Sequence, residues 1–151
     1  MDKNIIVPYK YSFVGHFTSL YMLFPLYISY KKEVYSVYYS CLFLYITTNI
    51  FWFNVKEGFI KKLDLLGVLL FSFITAYETY KRCKYFYVYW IISFLNICIF
   101  KYNKNTNYSL IINSKNKKEI QPIIYMELVA IHVLTLHVGQ MMALYFTLMF
   151  L

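Results

Sequence analysis

Apolar residues fill the chain in long runs, and the charges collect in short stretches between them. The first run extends from about Tyr11 to Tyr30 and is broken only by Pro25. It predicts a retained helix rather than a secretory signal. Asp2 stands among the early lysines, and no small-residue cleavage site follows the run. Lys31, Lys32 and Glu33 predict a tight polar turn. A second helix is predicted over 34–54, with no charge along it. Lys56, Glu57, Gly58, Lys61 and Lys62 mark a short loop. A third helix is predicted over 63–80, with Asp64 in its first turn, where an acid suits the positive end of the helix dipole.

Lys81, Arg82 and Lys84 make the next turn, and a fourth helix is predicted over 85–100. That helix is shorter than the about 20 residues that cross a typical hydrocarbon core, so its flanking residues must snorkel to complete a span. The stretch 101–121 carries five asparagines and five lysines without apolar periodicity and predicts a solvated loop. Pro122 suits the first turn of a last helix over 123–151, long enough to tilt in a bilayer. No internal repeat is present.

Composition turns these helices into a class. Hydrophobic residues make up 60% of the 151, aromatics 23% and charged residues 15%, against the about 25% charge of soluble domains. A soluble fold of this size leaves too much surface exposed to hide so much apolar area. The expected fold is therefore all-α, a single polytopic transmembrane domain of about five spanning helices, with the lipid bilayer as its partner. Lys, Ile, Asn, Phe and Tyr abound while Arg82 is the sole arginine, a bias that points to an AT-rich genome. The same bias accounts for much of the 18 Tyr and 14 Phe, which also suit interfacial positions.

The net charge of +8 reads as topology rather than nucleic-acid binding, because the lysines lie in the connections. With five spans, Lys3, Lys10, Lys56, Lys61, Lys62, Lys101, Lys104, Lys115, Lys117 and Lys118 share the N-terminal side. Lys31, Lys32, Lys81, Arg82 and Lys84 share the other. Ten against five predicts an N-terminus on the cytoplasmic or matrix-equivalent side. Asn107-Tyr108-Ser109 fits a glycosylation acceptor, but this topology places it away from a secretory lumen. Cys41, Cys83 and Cys98 show no disulfide or zinc-finger spacing. Cys41 and Cys98 read as small hydrophobes, and Cys83, at a basic helix end, as a palmitoylation candidate.

Ionisable residues at bilayer depth are costly and mark candidate sites. They are His16, Asp64, Glu78, Glu127, His132 and His137, with Thr47, Thr48, Asn54, Asn96 and Gln140 as neutral neighbours. Five spans put His16, Asn54, Asp64 and Glu127 in one leaflet, with His132 deeper. That grouping suits a metal or proton-handling site between helices. The structural alternatives are specific. Glu78 pairs with Lys81 or Arg82 along its own helix, Asp64 caps the third helix, and the histidines bond neighbouring helices. His132 and His137 are five apart, about 140° around an α-helix, so one ion takes both only if the helix contains a bulge.

The run Thr47-Thr48-Asn49-Ile50-Phe51-Trp52-Phe53-Asn54, followed by Asp64 and by His132 and His137 in the final helix, resembles the CREST superfamily of alkaline ceramidases and progestin/adiponectin-type receptors. Members have seven helices, a Ser and His on one, an Asp opening the next and two His in the last. The resemblance implies zinc-dependent amide hydrolysis, the metal activating water. Thr48 and Trp52 stand where the pattern has Ser and His, two helices are missing, and His16 takes the place of the lost ligand. The implied metal set is His16, Asp64, His132 and His137.

Three functions follow as expectations. The first is a non-enzymatic component or partner of a membrane complex, without a cofactor. The second is a CREST-like zinc hydrolase, active or diverged. The third is a small transporter or pore.

Overall fold

The structure is a computed structural model that describes residues 9–53, 58–113, 126–127 and 129–150. All regular structure among them is helical, as expected. The first rod joins α1 (Tyr9–Thr18), a 3-10 turn (Ser19–Met22) and α2 (Leu23–Lys31). Pro25 explains the break. It has no N–H to give the Tyr21 carbonyl, and its ring crowds that carbonyl, so the preceding turn tightens to i→i+3 winding. α3 (Tyr35–Phe53) and α4 (Phe59–Arg82) follow, then α5 (Phe86–Asn113). The last rod is one helix from Val129 to Met149. It contains a π segment (Val133–Gln140) that runs into α6 (Met141–Met149).

The helix bounds correct the sequence reading in two places. α4 opens at Phe59, just after Gly58, so Asp64 stands in its second turn and does not cap it. α5 runs 28 residues, about 42 Å, through the stretch predicted to be loop. Residues 101–113 lack Gly and Pro. Asn103 Nδ2 and Thr106 Oγ1 donate to the carbonyls of Ile99 and Tyr102, each at 3.0 Å. Lys101, Tyr102, Asn105 and Thr106 are exposed, and a helical stretch without a buried face carries no apolar stripe, which is why periodicity does not predict it. The rest of the predicted loop, Asn54, and the predicted start of the last helix at 123 lie outside the described residues.

The turn after α2 is a Schellman motif. Val34 N–H donates to the Ser29 carbonyl at 2.9 Å and Glu33 N–H to the Tyr30 carbonyl at 3.1 Å. Glu33 takes φ of 57°, and buried Val34 packs back with Ile28.

α3 packs on α4 and on the first rod, and the last rod packs on the first rod and on α5. The main core lies near the 31–35 connection, around Met22, Val37, Cys41, Leu44, Phe71, Leu144 and Leu148. Trp52, Val129 and Val133 form a second cluster toward the other end. By length and composition, one described helix, Val129–Met149, is long and apolar enough to cross a membrane. α3 is diluted by Tyr35, Tyr38, Tyr39, Tyr45 and the Thr47-Thr48-Asn49 run.

Candidate functional site

The π segment decides the geometry of the two late histidines. In π winding the backbone bond runs i→i+5, so residues five apart stack instead of diverging. The His132 and His137 rings accordingly meet edge to face, with centroids 5.0 Å apart. Trp52 of α3 stands against both, at 4.9 Å from His132 and 5.9 Å from His137. Phe100 of α5 lies 5.4 Å from His132. The bulge that the five-residue spacing demanded is present.

His137 is 2% exposed. Its Nδ1 lies 3.0 Å from Thr18 Oγ1. That hydroxyl donates its one proton to the Val14 carbonyl at 2.8 Å. The contact ties the buried imidazole of the last rod to the first rod. Gly15 makes room for the arrangement, since a Cβ there would overlap the Trp52 indole. Gly139 does the same on the last rod. A Cβ would lie 2.9 Å from the Leu134 carbonyl oxygen and 3.0 Å from Asn96 Nδ2.

The four predicted metal ligands divide. His132 and His137 come together. Asp64 instead accepts from Thr48 Oγ1 at 2.7 Å, tying α4 to α3. Thr48 and Trp52 are one turn apart on α3, so the Asp64 bond and the imidazole pair adjoin through that helix. His16 is half-buried, and its buried Nδ1 has no hydrogen-bond partner among the described residues. Among those residues no three His, Cys, Asp or Glu side chains gather as a metal-holding group. Glu127, expected in the same leaflet, is exposed. Glu78 pairs as expected: Arg82 Nε donates to its Oε2 at 2.6 Å. Ser36 Oγ of α3 donates to its Oε1 at 2.7 Å.

A polar seam joins α5 to the last rod. Gln140 Nε2 donates to Tyr89 Oη at 2.9 Å and to Ser93 Oγ at 2.7 Å. The buried Gln140 Oε1 and Asn96 Nδ2 have no partner among the described residues. Tyr89, Ser93, Asn96 and Phe100 recur at the spacing of one helix face, a signal readable in the sequence that the search for charged groups passed over. Trp52 was likewise legible as one turn from Thr48, but only contact with both histidines makes it the hub.

Chemically, the cluster is an aromatic-walled imidazole pair. It can accept a proton or offer nitrogen to a metal. Set against known protein families, curated proteins and solved structures, the chain matches none.

Proposed function

We propose that this chain is a multi-pass membrane protein with five spans and that it serves as a non-enzymatic component of a membrane complex. One observation carries the membrane reading. Large apolar side chains are exposed on every rod, among them Phe13, Phe17, Tyr27, Ile46, Ile50, Leu69, Phe73, Ile91, Phe94, Leu134 and Phe146. Small hydroxyls are buried between the rods instead: Ser12, Ser19, Ser29, Ser40, Thr47, Thr75, Thr79, Ser93, Thr135 and Thr147. Exposed apolar surface on this scale needs a cover, and small polar residues at helix contacts suit packing in lipid. Many of the hydroxyls bond back to their own helix, as Thr79 Oγ1 does to the Thr75 carbonyl at 2.7 Å.

The component reading rests on how the acids are used. Asp64 and Glu78 are both engaged in bonds that hold α3 to α4. Alkaline carbonate should leave the protein in the membrane pellet. Cysteines introduced at Lys32 and Lys84 should label from one side, and cysteines at Lys3 and Lys115 from the other. Release by carbonate, or labelling of Lys32 and Lys84 from opposite sides, would sink the five-span reading. Mild-detergent purification should yield a larger complex; a lone monomer with turnover would contradict the component reading.

The CREST-like hydrolase is the second reading. Its support is the adjacency of the Thr48–Asp64 bond to the Trp52, His132 and His137 cluster. Zinc analysis of the purified protein, with amide hydrolysis measured on the same sample, separates it from the first. Stoichiometric zinc with turnover lost in H132A and H137A favours it.

A further inference from the structure

We infer that the outer face of the first rod holds an anionic glycerophospholipid, its acyl chain in an apolar groove and its headgroup at Lys31 and Lys32. The inference rests on the membrane reading above. The groove has a volume of about 590 Å³ and is lined by Phe17, Leu20, Tyr21, Leu23, Phe24 and Tyr27. All six come from one rod, on either side of the 3-10 turn at Ser19–Met22. The wall is braced, since Phe24 packs on Tyr21 at 5.8 Å and edge-on to Tyr145 of α6 at 5.9 Å.

Length and charge select the occupant. From Phe17 to Tyr27 the rod rises about 15 Å, half of an about 30 Å hydrocarbon core, so the groove matches one leaflet. Lys31 lies one turn beyond, its Nζ 6.0 Å from the Tyr27 ring centroid. A chain lying in the groove therefore ends beneath an ammonium at headgroup depth. The Ser36–Glu78 bond brings the end of α4 to the same end of the bundle. Lys31, Lys32, Lys81, Arg82 and Lys84 there give five positive charges against Glu33 and Glu78, a surplus of three. Such a rim attracts anionic headgroups and gives zwitterionic ones little advantage. A partner helix would need no cation at that depth.

Native mass spectrometry of the detergent-purified full chain, incubated with equal dioleoyl-phosphatidylglycerol and dioleoyl-phosphatidylcholine, tests the assignment. Wild type should keep one phosphatidylglycerol with a preference of about tenfold or more. The double variant K31Q/K32Q should keep lipid without that preference. L20W, which fills the groove from an exposed position, should lose it. Circular dichroism confirms that both variants remain folded. Equal retention of the two lipids by wild type, unchanged retention in L20W, or a lipid-free dimer that protects these residues would overturn the inference. A protein that stays in carbonate-washed membranes yet shows no preference leaves the membrane reading standing while this assignment falls.

Discussion

His132 and His137 stand edge to face at 5.0 Å because the helix between them is wound as a π segment. Their spacing alone would set them on divergent faces of an α-helix. Long π segments are rare and bulges of this type recur at functional sites, because the extra residue per turn costs hydrogen-bond geometry that packing must offset. Here the offset comes from Trp52, Phe100 and Thr18, which hold the two rings from three other rods.

Gly15→Ala should therefore destabilise the bundle more than its size suggests. The new methyl overlaps Trp52, which is 4% exposed and has little room to move. Overpacking of this kind costs about 1–3 kcal/mol. Denaturant titration in mild detergent checks it, and a shift in Trp fluorescence should accompany the loss. An unchanged midpoint would show that Trp52 is free to relocate.

Thr48→Val keeps the shape and removes the donor to Asp64. A partly buried carboxylate left without this bond should cost about 1–3 kcal/mol, and Thr48→Ser should recover most of it. Thermal unfolding of the two variants beside wild type reads the difference. Equal loss in both would assign the effect to packing.

Glu78→Ala should cost about 1 kcal/mol, since it removes the bond to Ser36 of α3 together with the Arg82 pair. Arg82→Ala should cost less than about 0.5 kcal/mol, because the guanidinium side chain is 42% exposed and water replaces its contribution. Added salt should weaken only the Arg82 part. An Arg82→Ala effect as large as that of Glu78→Ala would make the ion pair, and not the link to α3, the important bond.

Glu33→Gly should stabilise the protein by about 1 kcal/mol. Glu33 holds φ of 57° at the position of the Schellman turn that favours glycine, and its side chain is exposed. A raised melting temperature is the expected result. A lowered one would mean that the carboxylate makes a contact worth more than the strain.

How far the sequence reaches differs from residue to residue. The Lys31-Lys32-Glu33 turn and the uncharged run of α3 were legible because each depends on neighbours within one or two turns. The Glu78 pair with Arg82 was legible for the same reason, as four residues on a helix always face one another. Asp64 was misplaced by a local argument. Its partner, Thr48, lies on another helix, and no rule of spacing within one element points across a helix–helix contact. The extension of α5 past Lys101 was not legible because helical periodicity reports burial of an apolar face, and Lys101, Tyr102, Asn105 and Thr106 are exposed.

The sequence by itself determined that the chain is helical, where most of its rods lie, and which polar groups are scarce enough to matter. These follow from local propensity and from the cost of placing charge in apolar runs. Only the tertiary structure decided that His132 and His137 meet, that Trp52 of α3 stands against both, and that Asp64 is held by Thr48. Those relations depend on the winding of one helix and the closeness of two others, set by Gly15 and Gly139, where the absence of a side chain lets backbones and rings approach.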